Sequence, residues 1–558
     1  MNGARFLNAF FLRQIAGVAF LFILLICSVG SLSAQEAASC AGCHDQGPKL
    51  AKSAHAGLSC DTCHEGREKY PHPAGLAMPA CATCHEDQSL AFNRGVHGQA
   101  AKNGGAAPDC SVCHGSAHEL LKPGSPEFRA AAPDTCAMCH ADQVKDFQAS
   151  VHGQALARGV SQAPLCTDCH GEHSIQKHTS AASPVFKGNV RETCGSCHDN
   201  VRLSRKFGLP TDRLVSFDAS FHGLAAKAGS QTVANCASCH GVHNILKSTD
   251  PKATTNAKNL GQTCGSCHPG AGKRFAIGQV HVVEGANEPS SMRWVRQFYL
   301  LVIPLTLVLM LLHQGGDFVR KVIRLRARNA PPYGLYRGRQ VRMFPLERLQ
   351  HGVMAISFIL LVVTGFALKY PDQWWARPMM GAEGLMRGVA HRAAAVVFMA
   401  VSMLHVISLI ASRRLRNHWK ELLPKVSDVR EGSTNMAYNL GLRKTRPYRS
   451  AHSYIEKAEY WAVIWGSGVM ILTGVMLWAN NLMLAMLPKS WLDVATSVHF
   501  YEAVLATASI VIWHFYTVIF DPEVYPIDTA FLTGTSVRVH EHEETPAEVE
   551  VKAESAAE

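Results

Sequence analysis

Nine copies of one short pattern hold most of the residues in this sequence that could do chemistry. The pattern is C-x-x-C-H, and it opens at Cys40, Cys60, Cys81, Cys110, Cys136, Cys166, Cys194, Cys236 and Cys264. Eighteen of the nineteen cysteines of the 558-residue chain belong to it. A C-x-x-C pair alone fits a disulfide, half of a zinc site or a redox pair, whereas the added histidine is typical of covalent attachment of a c-type haem.

Each motif supplies two cysteines for attachment and one axial histidine. The predicted attachment residues are Cys40, Cys43, Cys60, Cys63, Cys81, Cys84, Cys110, Cys113, Cys136, Cys139, Cys166, Cys169, Cys194, Cys197, Cys236, Cys239, Cys264 and Cys267. The predicted proximal ligands are His44, His64, His85, His114, His140, His170, His198, His240 and His268. Zinc sites built from paired C-x-x-C motifs are the main alternative, but they leave nine adjacent histidines unexplained.

A haem iron takes a second axial ligand, and a repeated unit supplies nine candidates. GVHGQAAKNGGAAPDCSVCHGSAH, SVHGQALARGVSQAPLCTDCHGEH and SFHGLAAKAGSQTVANCASCHGVH are copies of one unit, and SAHAGLSCDTCHEGREKYPH is a shorter relative. The predicted distal ligands are His55, His72, His97, His118, His152, His173, His222, His243 and His281, which leaves His178 over. A histidine three residues beyond a motif is expected to bind a neighbouring haem. Two imidazoles on each iron favour electron transfer over bond making.

The composition of the chain changes near residue 290, so the motifs and the remainder are predicted to form separate domains. Residues 1–34 read as a secretory signal peptide, with an uncleaved anchor as the alternative. Residues 35–290 are then an exported domain of four two-haem repeats plus a half repeat. We expect short helices and loops wrapped on nine covalent c haems, and a mainly α fold throughout.

The second half contains five apolar stretches, each long enough to cross a bilayer. They cover residues 292–313, 346–369, 389–411, 457–479 and 497–520. The intervening loops 314–345 and 412–455 hold eighteen Lys and Arg, which the positive-inside rule assigns to the cytoplasm. The predicted protein therefore spans the bacterial inner membrane several times, with the haem c domain in the periplasm and the C-terminus in the cytoplasm. Its parts are helix one with a basic loop (291–345), a four-helix domain (346–530) and an acidic disordered tail (531–558).

Histidines inside the apolar stretches are candidates for ligands of two b haems. Spacings of fourteen and fifteen residues would let one helix serve two depths, about 21 to 22 Å apart. His391 and His499 are predicted to hold the haem on the periplasmic side. His514 is predicted to hold the cytoplasmic-side haem, together with either His351 or His405. His313 is either interfacial or near a quinone.

Four segments of the second half resemble the dihaem cytochrome b subunits of formate dehydrogenase and nickel-iron hydrogenase. The segments are ERLQHGVMAISFILLVVTGFALKYP, RGVAHRAAAVVFMAVSMLH, EKAEYWAVIWGSGVMILTGVMLW and VHFYEAVLATASIVIWHFYTVIFDPEVYP, within about residues 340–530. The resemblance implies exchange of electrons with the quinone pool and favours His351 over His405. His499 and His514 are fifteen residues apart, one more than in the formate dehydrogenase subunit. The fusion to an exported nine-haem domain is similar to the membrane quinol oxidoreductases of metal-respiring bacteria.

These features predict a quinol dehydrogenase of anaerobic respiration, which passes electrons through b haems and then c haems to periplasmic or extracellular acceptors. The expected partners are the membrane, the quinone pool, and periplasmic c-type cytochromes or another soluble carrier. The same path run in reverse as a quinone reductase, a terminal reductase of a small oxyanion, and a nonenzymatic electron store are the alternatives. The net charge of +11 does not indicate nucleic acid, because the two basic loops account for it.

Overall fold

A computed structural model describes residues 40–67, 70–75, 77–270, 280–283, 285–327, 335–381, 384–445 and 452–541. Over these residues the chain is mainly helical, which confirms the predicted fold class. It divides into two compact units, Met1–Ser183 and Pro184–Glu558. The predicted signal peptide lies outside the described residues.

The first unit consists of short helices joined by turns and loops. Three motifs open on single 3₁₀ turns, Cys40–Gly42, Cys60–Thr62 and Cys81–Thr83. The α-helices are α1 (Gly47–Leu50), α2 (Glu86–Arg94), α3 (Val96–Lys102), α4 (Cys110–His114), α5 (Pro126–Ala137), α6 (Ala141–Ala149), α7 (Val151–Ala157) and α8 (Cys166–His170). The apolar core of this unit is small, since Pro133, Val144, Ala163 and Leu165 are its buried apolar side chains among the described residues. These short helices and loops agree with the fold class predicted for this part of the chain.

The second unit begins with another series of short helices, which carry the last three motifs. They are α9 (Val190–His198), α10 (Val201–Lys206), α11 (Arg213–Ala219), α12 (Phe221–Lys227), α13 (Cys236–His240) and α14 (Leu260–Gly265). These helices lie in the same compact unit as the membrane half, and the predicted domain boundary at residue 290 stays a prediction. The two parts share a packed contact in which Ala228 lies in a buried apolar cluster with Ala367, Ala376 and Met380.

Five long helices follow, and each is long and apolar enough to cross a membrane, which confirms the five predicted spans. They are α15 (Ser290–Ala327), α16 (Pro345–Lys369), α18 (Leu385–Ala411), α21 (Tyr454–Trp478) and α23 (Lys489–Ser509), the last continued by π-helical turns over Ile510–His514 and Tyr516–Phe520. The shorter helices of this part are α17 (Arg377–Met380), α19 (Arg413–Glu421), α20 (Val426–Asn439), α22 (Asn480–Met486) and α24 (Ala530–Thr533). Helices α16 and α18 pack as one antiparallel pair and α21 and α23 as a second, with α15 against α23.

Local signals explain where these helices begin. Pro345 occupies the first position of α16, where its missing N–H costs no hydrogen bond, and the Glu347 carboxylate accepts from the Phe344 backbone N–H at 2.8 Å. Helix α15 extends well beyond the predicted stretch that ended at residue 313. At about 1.5 Å per residue its 38 residues span about 57 Å, which is longer than the hydrocarbon core.

The end of the chain corrects one expectation. We expected disorder from residue 531, but residues up to 541 form α24 and a strand, β2 (Thr535–Glu541). Strand β2 pairs antiparallel with β1 (Leu335–Val341), in a register that sets Val341 opposite Thr535. The alternating TSVRVHE stretch, which is rich in β-branched residues, explains the strand. The acidic residues 542–558 lie outside the described part of the chain.

Candidate haem centres

A single helical turn positions the three chemical groups of each C-x-x-C-H motif. In one motif after another, the backbone N–H of the histidine donates to the carbonyl of the first cysteine, for example His64 to Cys60 at 3.0 Å and His268 to Cys264 at 2.9 Å. Residues three apart on such a turn share one face, so both cysteines point the same way. All eighteen motif cysteines are free of disulfides, which leaves their sulfurs available for attachment to haem.

Side chains at the start of the motif helices fix these turns. The Asp109 carboxylate accepts from the Val112 backbone N–H at 3.1 Å and caps α4, while the Asn235 side chain accepts from the Ser238 N–H at 3.0 Å and caps α13. Caps of this kind stabilise a helix by about 1 kcal/mol each. Five-residue helices depend on them, because a helix of one turn is unstable alone.

The motif histidines lie opposite the predicted distal histidines. In the first unit the pairs and their ring-centroid distances are His44 and His72 (6.2 Å), His55 and His85 (6.0 Å), His64 and His118 (5.9 Å), His97 and His140 (6.3 Å), and His114 and His173 (6.0 Å). In the second unit they are His222 and His268 (6.1 Å) and His240 and His281 (6.4 Å). The ligand roles of these fourteen histidines, and those of His152, His170, His198 and His243, stay predictions.

The spacing of these rings fits a haem iron held between two imidazoles. A metal–imidazole bond is about 2 Å long and a ring nitrogen lies about 1 Å from the ring centre, so two imidazoles on one metal have centroids about 6 Å apart. Directly stacked rings would be nearer. The four most nearly parallel of the seven pairs have interplanar angles of 12° to 25°. The residues present therefore fit the predicted group.

The partners follow a crossed pattern along the chain. His118, four residues after His114, faces His64 instead, and His173 in turn faces His114. His55, which precedes the second motif, faces the histidine of the third motif, His85. In all seven pairs the predicted distal histidine faces a motif other than the one nearest to it in sequence.

The first cysteines of consecutive motifs also meet in pairs. They interact as Cys40 with Cys60, Cys81 with Cys110, Cys136 with Cys166, and Cys194 with Cys236. These are the two motifs within each of the four predicted repeats. The two haems attached in one repeat would therefore be neighbours.

Burial keeps several of these imidazoles in the form that binds iron. The pKa of His222 is lowered mainly by burial, and also by the adjacent His268 and Lys489. Burial likewise lowers the pKa of His240 and of His281. The neutral imidazole, which has a lone pair for the metal, is favoured in each case.

The first predicted ligand pair of the membrane half is supported by two threonines. Thr364 Oγ1 donates to the Leu360 carbonyl at 2.5 Å and lies 2.8 Å from His391 Nδ1, so it accepts the Nδ1–H. Thr473 Oγ1 does the same for His499 Nδ1 at 2.9 Å. These hydrogen bonds fix the tautomer and leave Nε2 of both rings for a metal. The two imidazoles are near enough to interact electrostatically.

The second pair is His351 and His514, whose ring centroids lie 6.3 Å apart with the rings tilted by 52°. His514 Nδ1 lies 3.2 Å from the Glu459 carboxylate, so a charged acceptor orients this ring. His405 lies elsewhere: its Nε2 is 2.9 Å from the Tyr460 hydroxyl and its Nδ1 is 3.2 Å from the Gln350 amide oxygen. The geometry therefore favours His351 over His405 as the partner of His514.

The π-helical turn over Ile510–His514 accounts for the spacing of fifteen residues between His499 and His514. A π turn has hydrogen bonds from i to i+5 and takes up one residue more than an α turn. The Phe515 N–H donates to the Ile510 carbonyl in this pattern. His514 is thereby brought back towards the face that carries His499, and it reaches His351.

Thr364, Thr473 and Glu459 were missed from sequence, although an internal repeat marks them. Thr364 and Thr473 each precede a glycine in α16 and α21, and the two Thr-Gly pairs are 109 residues apart. The same offset relates Gln350 to Glu459, His351 to Tyr460 and His405 to His514. The two antiparallel helix pairs are therefore copies of one unit, in which Tyr460 stands where the other copy has His351.

With this geometry established, comparison with known proteins gives one result. Residues 342–529 match the family model of the prokaryotic cytochrome b561. The match covers about a third of the chain, and for this region it suggests a membrane b-type cytochrome in transmembrane electron transfer. It contains α16, α18, α21 and α23, while α15 and all nine motifs lie outside it. No curated protein and no solved structure matches the chain.

Removing one distal histidine is expected to open one haem. In the His173→Ala variant, the haem of the His114 motif would lose its sixth ligand, since the two rings are 6.0 Å apart. We expect a high-spin signal from one c haem in the electron paramagnetic resonance spectrum of the oxidised protein. His178→Ala, which changes an exposed histidine nearby, is the control and should leave every haem low-spin. Equal spectra from both variants would contradict the assignment.

Proposed function

We propose that this protein is a quinol-oxidising membrane cytochrome. It would take electrons from quinol in the inner membrane and pass them through two b haems and nine c haems to periplasmic c-type cytochromes or another soluble carrier. The single observation that carries this proposal is the docking of the ninth motif on the membrane bundle.

The ninth motif lies against the helix ends nearest to His391 and His499. His268 Nδ1 lies 3.0 Å from the Asn481 side-chain oxygen, in α22. A side chain added at Gly270 would lie 3.3 Å from Ala485. His222, which faces His268, feels the charge of Lys489 at the start of α23. The c-haem series would thus begin at the end of the bundle where the threonine-supported pair lies, which supports direct transfer from the b part to the c part.

The hydrogen bonds to the two b-haem pairs support the outward direction. Bound haem supplies one-electron redox chemistry at its iron, and donors and acceptors around the ligands set its potential. A carboxylate acceptor such as Glu459 would make the His514 imidazole give more electron density to the iron than a neutral hydroxyl would. It would therefore stabilise the ferric state of the haem at that depth. Thr364 and Thr473 give His391 and His499 no such charge. The potential would therefore rise from the basic, cytoplasmic end of the bundle towards the periplasmic end, which favours transfer from quinol to the c haems.

Anaerobic mixing with a reduced menaquinone analogue tests the proposal. We expect the b absorption band to respond first and the c band to follow when the oxidised protein meets the quinol. A protein whose c haems are reduced only by a low-potential donor, and are then reoxidised by added quinone, would instead be a quinone reductase. Dithionite reduction provides the total of reducible haem in the same sample.

A further inference from the structure

The C-terminal half of α15 contributes to a buried polar cluster that the predicted b-haem ligands do not use. His313 is 3% exposed and its Nε2 is hydrogen-bonded to the Tyr454 hydroxyl. Its ring stacks on Trp513 with the centroids 5.0 Å apart and an angle of 29°. The Asn439 amide N–H donates to the His313 carbonyl at 3.1 Å. Elements from four parts of the sequence therefore meet at this histidine.

Several buried polar atoms of this cluster and of Gln314, the residue after His313, have no hydrogen-bond partner among the described residues. Both amide atoms of Gln314 are buried without a partner, and the residue is 4% exposed. The same holds for the indole N–H of Trp513 and the side-chain oxygen of Asn439. A buried polar atom without a partner costs about 1 to 3 kcal/mol, so a group of them indicates a polar ligand.

We propose that this cluster binds the quinone headgroup, an inference that rests on the proposed quinol oxidation. Trp513 offers a flat aromatic surface, and Gln314 and the indole N–H offer hydrogen bonds to the ring oxygens. His313, which is hydrogen-bonded to Tyr454, would accept one proton at a time. Trp513 directly precedes His514 and lies in the π-helical turn, so a bound headgroup would be next to the cytoplasmic-side b haem. π turns of this kind occur frequently at functional sites.

Quinol loses two electrons and two protons to become quinone. The electrons would leave one at a time towards the b haem that His351 and His514 would hold. His313 would accept the two O–H protons one after the other, each moving on before the next arrives.

An ionic series leads from His313 towards the end of α15. Asp317, one turn after His313, is 2.7 Å from Lys321, and Lys321 is 2.6 Å from Asp521. Protons would reach the cytoplasm along these groups, while electrons leave towards the periplasm.

The test uses the full haem-loaded protein with menadione and menadiol as probes. In the Gln314→Leu and Trp513→Phe variants we expect menadione binding, measured by equilibrium dialysis, to weaken about tenfold for each lost hydrogen bond. The menadiol concentration for half-maximal b reduction should rise by the same factor. The b-haem midpoint potentials should not change. Ser402→Ala, which removes a hydroxyl from α18 outside the cluster, is the control and should bind menadione like the unmodified protein.

Three outcomes separate the possible failures. If menadiol does not reduce the unmodified protein, the proposed function fails. If menadiol reduces it but the two variants bind menadione normally, this site is wrong and the proposed function stands. If the variants shift a b-haem potential and leave menadione binding unchanged, the unpartnered atoms serve the haem instead, and the inference is overturned.

Discussion

Replacing His514 by alanine is expected to leave the purified protein with one b-type haem instead of two. His514 and His351 have ring centroids 6.3 Å apart. Removing the His514 ring would therefore take away one of the two predicted axial ligands of the cytoplasmic-side b haem. Quinol would then have no electron acceptor at the cytoplasmic end, and its reduction of the c haems should be lost. Dithionite, which reaches the exported haems directly, should still reduce all nine. A pyridine haemochrome assay measures the b-to-c ratio.

His405→Ala is the matched control for this experiment. His405 is also an intramembrane histidine, and it occupies the position in α18 that corresponds to His514 by the internal repeat. Because it is hydrogen-bonded to Tyr460 and Gln350, its removal should leave two b haems. Loss of a b haem from the His405 variant, with retention in the His351→Ala variant, would reverse the assignment.

Replacing Glu459 by glutamine is expected to raise the midpoint potential of one b haem. The carboxylate lies 3.2 Å from His514 Nδ1. Replacing it by a neutral amide removes the negative charge that would stabilise the ferric state. A shift of about 60 mV corresponds to a tenfold change in the equilibrium of a one-electron couple. Potentiometric titration followed at the b band should therefore show one component moved upward and the other unchanged.

The Thr473→Val variant tests the same principle at the other depth. It removes the neutral acceptor from His499 Nδ1 and should produce a smaller shift, in the other b component. If both variants moved the same component, the two pairs would not be separate sites. If Glu459→Gln lowered the potential, the argument for outward electron flow would lose its basis.

The features that were predicted from sequence are those encoded by neighbouring residues. The C-x-x-C-H motif carries its own chemistry, because a single turn brings Cys60, Cys63 and His64 together. The five spans follow from runs of apolar residues longer than a bilayer requires. Both signals are local. The structure confirms five helices that could cross a membrane, and attachment of haem at the motifs stays a prediction.

What sequence did not supply depends on the path of the chain in space. Nothing in the spacing of His118 indicates that its partner is His64, 54 residues earlier. The spacing of the residues left His351 and His405 open, and the resemblance favoured His351. The contact of His405 Nε2 with the Tyr460 hydroxyl supports that choice. The spacing of fifteen residues between His499 and His514 is explained by the π turn. This turn accommodates the extra residue and keeps the His514 ring on the side that faces His351.

The crossed ligation of the first unit has a consequence for the order in which an exported chain matures. His64 cannot acquire its partner His118 until the fourth motif has emerged, and His114 must await His173 from beyond the sixth. If these pairs ligate haem as proposed, a haem attached at the second or the fourth motif would stay five-coordinate until the later segment arrives. The haems of His85 and His140 would not wait, because His55 and His97 emerge before the motifs that they face. A chain stopped between repeats would therefore keep open irons at some motifs and closed irons at others.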